Sequence, residues 1–580
     1  MGNYHYSSAK NILILIRLMK EHGIKKVVVS PGATDYAFVA SLQHDKFFEL
    51  YSSIDERSAA YIATGLAAET GEPVAITCTG ATSSRNYMPG LTEAYYRHLP
   101  ILAITCSRSN ANVGHLVDQV TDRGQLPADV AKIGVYLQAV ATQEDEWDCA
   151  VKANKAILEL SRAGGGPSHI NLCCTGPGTV DLIAKELPNV KVIRRYSPQD
   201  CWPKIVCGKI GIFVGAHQRW DDKLTKSVDE FCEKYNAVVL CDQTSNYKGK
   251  YGVLFPILTD QYGDSEIMNE LDLMIHIGYV STAVMKGKEI WRVNPDGEIR
   301  DTFKKLTSVF ECKEEDFFEK YNEECSSNGD TDYYKLWKDR YCEKINNIEN
   351  LPFSNVWCAS VLSQKLPISS IIHFGIRNSL RSWNYFEVDK SILCYCNTGG
   401  FGIDGGMSSL IGASFADRNK IYYGVFGDLL FYYDMNSLGN RDIQPNVRIM
   451  IINNGLGQEF KNYTCPTSNF GVNTDKYVAA KGHFNNNQGN VIKNYVESLG
   501  FEYLSAQNKE EFIQVMQHFT NPTLTERPML LEVKVTSDYE CKAHEIMTTL
   551  SGKSKILKKG KDILSIPELA KVKSVLKKHM

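Results

Sequence analysis

Gly427-Asp428-Leu429 closes one apolar run, and Asn453-Asn454-Gly455 closes the next, with Asn454 standing 26 residues after Asp428. The runs read as parallel strands, which places both polar groups at strand C-terminal ends, where open α/β sheets bind ligands. An Asp carboxylate, an Asn amide oxygen and a nearby backbone carbonyl form a hard-oxygen set. Such a set suits Mg²⁺, with phosphate oxygens and water completing an octahedron. Gly427 lets the backbone approach a phosphate, whose charge a following helix N-terminus favours. Taken alone, Gly-Asp and Asn-Asn-Gly are also common turn sequences. Far away in sequence, Asp55-Glu56-Arg57 opens an Ala-rich segment, Ala59 to Ala68. Acidic residues suit a helix first turn, so Glu56 has a structural reading beside any catalytic one.

The pair Gly427-Asp428 and Asn454 resembles the GD-to-NN motif of enzymes that use thiamine diphosphate (ThDP). The first third resembles the same superfamily, that of pyruvate decarboxylase and acetolactate synthase. The likeness rests on Val29-Ser30-Pro31-Gly32, Asp55-Glu56-Arg57, Thr79-Gly80 with Asn86, Gly90-Leu91, Ala94-Tyr95 and Leu99 to Thr105. Within that superfamily, Asn378-Ser379-Leu380, Gly402-Ile403-Asp404-Gly405, Tyr433-Asp434-Met435-Asn436 and Gly457-Gln458-Glu459-Phe460 resemble the menaquinone-pathway synthase that joins 2-oxoglutarate to isochorismate.

The resemblance implies roles. The cofactor carries the hard chemistry, adding to a 2-oxo acid and accepting the electrons of decarboxylation. Glu56 activates it by a hydrogen bond to its aminopyrimidine ring. Asp428, Asn454 and the Leu456 carbonyl bind Mg²⁺. Gly427, Leu429, Asn86, Asn378, Ser379 and Gly402 line the cofactor site, and Ile403 is the apolar wedge that bends the cofactor. Gln458, His115 and Gln119 face the reacting centre; a lone His is also often structural. The active unit is a homodimer or homotetramer, with the cofactor held between two subunits.

The chain departs from the synthase where that family carries arginines: Thr34 after Ser-Pro-Gly-x, Thr398 in Asn397-Thr398-Gly399, and Trp383 after Asn-Ser-Leu, with Arg381 nearby as a substitute. Each charge-assisted hydrogen bond contributes about 1.5–3 kcal/mol, so losing several weakens the grip on a dicarboxylate. The expectation is therefore a carboligase that decarboxylates a small, pyruvate-like 2-oxo acid and passes the acyl anion to an unidentified acceptor. The alternatives are simple decarboxylation, or the synthase reaction on 2-oxoglutarate and isochorismate. A non-catalytic ThDP- or phosphate-binding regulator is a different class, against which Glu56 argues. FAD is not expected, and no GxGxxG opens a helix after a strand as in a dinucleotide site.

Apolar strands alternate with helices along the chain, which indicates βαβ units. The expected fold is α/β with three doubly wound parallel-sheet domains. They are a pyrimidine-binding domain over 1–185, a central domain over 186–335 and a diphosphate-binding domain over 336–550. The polar, acidic stretch 313–332 reads as the connector out of the middle domain. A Lys-rich tail, 551–580, ends the chain, with nine lysines from Lys553 onward against Asp562 and Glu568. It reads as a solvated helix face, or as a polyanion-binding patch.

Hydrophobic residues make up 43% of the 580 and charged residues 23%, within the globular range. Lys+Arg 64 against Asp+Glu 67 leaves no basic excess to attract nucleic acid. The 17 cysteines are dilute and include no CxxC pair. Arg17 and Lys20 interrupt the first apolar run, so it reads as an amphipathic helix rather than a signal peptide. No stretch is long and apolar enough to suggest a membrane span. The expectation is a reduced, cytoplasmic protein.

Overall fold

The computed structural model describes residues 5–206, 208–218, 220–264, 266–324, 331–485 and 490–564. The lysine tail from 565 onward and the Ser326 to Asp330 stretch lie outside the described residues. The strands are β1 Lys26–Val29, β2 Glu49–Ser52, β3 Val74–Thr79, β4 Ile101–Ser107, β5 Gly134–Leu137, β6 Ser168–Cys173, β7 Arg194–Tyr196, β8 Ile210–Val214, β9 Ala237–Cys241, β10 Gly252–Leu254, β11 Leu271–Ile277, β12 Gly287–Val293, β13 Leu306–Phe310, β14 Ile371–Phe374, β15 Leu393–Cys396, β16 Tyr422–Gly427, β17 Val447–Asn453, β18 Glu502–Ala506 and β19 Met529–Lys534. They build three parallel sheets with flanking helices, the expected α/β class.

The chain forms two compact units, one of residues 1–201 and 297–311, the other of 202–296 and 312–580. In the first unit the sheet runs β2-β1-β3-β4-β6-β5. β3 and β4 are apolar on both faces because helices cover both, as parallel sheets require. One face packs on the helix Lys10–Glu21, which buries Ile12, Leu15, Ile16 and Met19. The other packs on the helix Glu56–Thr70, whose Ala59, Ala60, Ala63 and Ala67 form a flat inner face. Asp55 caps that helix by accepting from the Arg57 N–H at 3.1 Å, and Gly71 at φ 67° ends it. Gly90 lets the helix Met88–Tyr96 approach closely: a Cβ there would stand 2.5 Å from Ala60 Cβ. The parallel pair β13 and β7 also belongs to this unit.

In the second unit, β10-β9-β8-β11-β12 form one parallel run. The acidic stretch expected as a connector is, over Glu314–Glu324, a helix. It buries Phe317, Phe318 and Tyr321, and Phe318 meets Phe231 of the helix Asp222–Tyr235 edge-on at 5.2 Å. Acidic residues fill its first turn and aromatics its inner face, so a polar composition hid an amphipathic helix.

The last sheet runs β15-β14-β16-β17-β19-β18. Counted from its own first strand, this order is 2-1-3-4-6-5, the same as in the first unit. Both sheets therefore reverse direction of winding beside their first strand, between β1 and β3 and between β14 and β16. Such switch points open a crevice at the strand C-terminal ends. No helix among the described residues is long and apolar enough to cross a membrane.

Candidate active site

The second unit carries Asp428 at the switch point of its last sheet. β16 and β17 pair in register from Tyr422↔Val447 to Gly427↔Ile452, which brings Gly427-Asp428 level with the Asn453-Asn454-Gly455 turn. Asp428 is buried and starts the helix Asp428–Asp434. One carboxylate oxygen accepts from the Leu429 N–H at 2.9 Å, the other from the Gly455 N–H at 2.8 Å. Gly455 takes φ 77°, a conformation that glycine adopts without strain. Asn454 is half-buried, and its side-chain oxygen accepts from the Leu456 N–H at 3.2 Å. Around a Cβ placed on Gly427 there is nothing within 4 Å, so open space meets the backbone at the end of β16. Asp428, Asn454 and the Leu456 carbonyl are hard-oxygen groups of the kind that could hold a divalent cation.

The loops after β14 and β15 add the expected neighbours. Asn378 starts a short helix, Asn378–Trp383, and donates to Glu540 at 3.2 Å while accepting from Asn462 at 3.3 Å. Ser379 is buried beside it. Glu540 is buried and also accepts from the Asn355 N–H at 2.6 Å; burial pushes its carboxyl up to about 7 against those hydrogen bonds. Gly402 and Ile403 lie exposed on the loop after β15, with Ile403 free to meet a ligand. Leu429 is half-buried. Gln458 is buried, with its amide nitrogen 3.3 Å from Asn462 Oδ1 and 3.2 Å from Cys541 Sγ, and its oxygen has no hydrogen-bond partner among the described residues.

Two of the expected arginine replacements read differently in place. Arg381 grips Glu459 with two hydrogen bonds, 2.6 and 3.0 Å, and is not a free substitute. Burial raises the Glu459 carboxyl, but the bonded Arg381 outweighs that and holds it below the usual value. Trp383 is core, 1% exposed and packed on Phe374, so its bulk does not trim a substrate pocket. Thr398 is buried too. Arg377, at φ 69°, lays its guanidinium 4.6 Å from the Phe401 ring centroid with about half its side chain exposed. Nothing in the motif reading singled it out, because one arginine in a turn carries no local signal.

The first unit carries Glu56 at the start of its helix, half-buried, with Asn86 Nδ2 at 3.5 Å from its carboxylate. The fold thus joins two residues that the sequence named separately. Thr34 lies at the switch point, where its hydroxyl pairs with Thr79 Oγ1 and donates to the Cys106 carbonyl at 2.8 Å. His115 and Gln119 are exposed on the loop after β4, and Gln119 takes φ 58°. Neither side chain has a hydrogen bond among the described residues. Motif reading also passed over Arg123 on the same loop, 5% exposed and anchored to Asn171 Oδ1 at 2.9 Å.

Comparison with known proteins bears on the family. Residues 13–128 match the family model "Thiamine pyrophosphate enzyme, N-terminal TPP binding domain". A 2-succinyl-5-enolpyruvyl-6-hydroxy-3-cyclohexene-1-carboxylate synthase of Bacteroides thetaiotaomicron is 32% identical over 91% of this chain and 96% of its own. Proteins of the same name from Bacteroides fragilis and Phocaeicola vulgatus are 30% and 31% identical, with the same coverage. A solved ThDP-dependent 4-hydroxybenzoylformate decarboxylase of Rhodococcus jostii aligns over 91% of this chain and 99% of its own, at 16% identity and a TM-score of 0.39, too slight a likeness to add weight. Sequence kinship over nearly the whole length and the match to the cofactor domain place the chain in the family of thiamine-diphosphate enzymes to which these carboxylate synthases belong.

Proposed function

We propose that the chain decarboxylates a 2-oxo acid and transfers the acyl anion to an acceptor, with ThDP and Mg²⁺ bound. The observation that carries this is the buried Asp428, tied to the Asn454 turn at the end of an open-backed strand. Asp428, Asn454 and the Leu456 carbonyl would hold the cation. Glu56 holds the aminopyrimidine nitrogen by a hydrogen bond and keeps a proton there. Ile403 and Gly402 bracket the cofactor, with Asn378 and Ser379 beside them. When bound, ThDP supplies the nucleophilic carbon that adds to the 2-oxo group and takes up the electrons released with CO₂. Gln458, His115 and Gln119 are the polar groups for the substrate side. A homodimer, joining Glu56 of one chain to Asp428 of another, is the working unit.

The relatives' name favours one substrate pair. Their product carries a succinyl group, which 2-oxoglutarate yields on losing CO₂, and isochorismate is the matching acceptor. A second reading, a smaller donor such as pyruvate, is favoured by Thr34 and Thr398 and by the engagement of Arg381 with Glu459. The deciding experiment is CO₂ release from 2-oxoglutarate and from pyruvate, each with and without isochorismate. Release from 2-oxoglutarate with isochorismate consumed supports the synthase reaction; release from pyruvate alone supports the second reading. No turnover of any 2-oxo acid, combined with no ThDP binding, defeats both.

A further inference from the structure

Three side-chain amides stand in a row between a buried acid and the turn after β17. Glu540, on the helix Ser537–Thr548, is 3% exposed. One of its oxygens accepts from the backbone N–H of Asn355 at 2.6 Å, the other from Asn378 Nδ2 at 3.2 Å. Asn378 Oδ1 accepts from Asn462 Nδ2 at 3.3 Å, and Asn462 Oδ1 accepts from Gln458 Nε2 at 3.3 Å. Every bond points the same way, with its donor on the Gln458 side and its acceptor on the Glu540 side. At the far end Gln458 Oε1 is buried with no hydrogen-bond partner among the described residues.

An amide can turn over and exchange its oxygen for its NH₂, so Asn378, Asn462 and Gln458 do not choose the sense of the row themselves. The ends choose it. An ionised carboxyl only accepts, and the Asn355 N–H, a backbone group, cannot turn. Asn378 must then meet Glu540 with nitrogen, Asn462 must meet Asn378 with nitrogen, and Gln458 must meet Asn462 likewise. The Ser537 carbonyl favours the same sense at Gln458 Nε2, over a longer 3.5 Å. Hydrogen bonds in a chain polarise one another, so a change at the carboxyl is felt at Gln458. Protonated, Glu540 gains an O–H and the constraint is lifted. Burial sets that change near neutral pH, at about 7. Of the groups packed around it, the Cys358 and Cys541 thiols are pushed up by burial, His544 is pushed down to about 4, and Arg381 stays paired with Glu459.

We propose that Glu540 is a positioning residue that acts through Asn378 and Asn462 to fix the Gln458 amide, nitrogen inward, with its oxygen left to accept. The proposal rests on the reading of Gln458 as a substrate-side group and adds to it what holds that group in one sense.

The test follows the Gln458 NH₂ signal by NMR in the full chain without cofactor, with glutamine isotope-labelled at its side-chain nitrogen. The signal is identified by its loss in Gln458→Leu. In the wild type it should move as pH rises through about 7. It should ignore pH in Glu540→Gln and in Asn462→Ala, which breaks the row. Glu540→Gln should also displace it, because the new amide meets the fixed Asn355 N–H with oxygen and turns its NH₂ to Asn378. Adding Asn378→Asp, which again only accepts from Asn462, should bring the signal back. A wild-type signal that ignores pH overturns the proposal, as does a displaced signal that the second change fails to return. If a variant does not fold, the wild-type titration decides. Use in the reaction is read from kcat/KM for CO₂ release from 2-oxoglutarate or pyruvate. Glu540→Gln should lower it by up to about tenfold, the range of one hydrogen bond, and by nothing further in Gln458→Leu. Additive losses overturn the link through Gln458. If neither acid is turned over, the functional reading fails, while the NMR signal still decides whether Glu540 governs Gln458.

Discussion

Glu56 and Glu540 are both acids near the expected cofactor, and their surroundings assign them different work. Glu56 is half-buried and touches only Asn86 among the side chains named for the site. A group that must hand a proton to a ring nitrogen contributes about 10²–10⁴-fold to rate. Glu56→Gln should lower the decarboxylation rate by that order while ThDP still binds, and rapid-quench CO₂ release with a separate binding titration checks both. Glu540 is sealed in, with a carboxyl pushed up from 4.5 to about 7. The fold therefore favours its protonated form. Between about pH 4.5 and 7 the unfolded chain has ionised this group while the folded chain keeps the proton, so stability falls as pH rises through that window. The loss above pH 7 is about 3 kcal/mol at most. Urea unfolding at pH 5 and pH 8 should show a steeper decline for the wild type than for Glu540→Gln, which has nothing to ionise.

Between residue and domain, the helices aim the chemistry. The helix Glu56–Thr70 owes its position to a flat alanine face and to Gly90 of the crossing helix. Gly90→Ala forces a methyl group to 2.5 Å from Ala60 Cβ, so the helices must part. Overpacking of this kind costs about 1–3 kcal/mol. A lowered melting temperature and a reduced kcat with unchanged Asp428-side metal binding are expected, measured by thermal unfolding and by Mg²⁺ titration. The same elements explain what was readable in advance. β3, β4, β16 and β17 stand out in sequence because burial on both faces leaves continuous apolar runs. The GD-to-NN pair stood out because it sits at the ends of β16 and β17, whereas Glu56 opens a helix after the largely exposed β2 and stood out by its motif alone. The helices Glu314–Glu324 and Asp332–Asn346 were not, since each buries only a few aromatics beneath a polar surface. Arg123 was illegible for another reason. Only the folded loop after β4 reveals that Gly80 and Asn171 are its surroundings.

For the whole molecule, two sheets share one winding order, and the proposed centre draws Glu56 from the unit of the first and Asp428 from the last. If a working centre joins the halves across two subunits, chains inactivated separately can repair each other. Mixing Glu56→Gln with Asp428→Ala should restore about a quarter of wild-type activity after random exchange, because one of the two centres in each mixed dimer is intact and half the dimers are mixed. No recovery after mass spectrometry has confirmed exchange would count against shared centres. The tie between Asp428 and the Gly455 N–H carries a different lesson. The two halves of the motif are held together by sheet register and this bond, whereas the chain between them runs out through the exposed turn at Asn440, Arg441 and Asp442. The count of residues separating them is thus an accident of how far that turn travels. Lengthening it by a few glycines and serines should leave ThDP binding intact, so in distant kin the interval can drift while the contact endures, and a search that fixes the interval will pass over them.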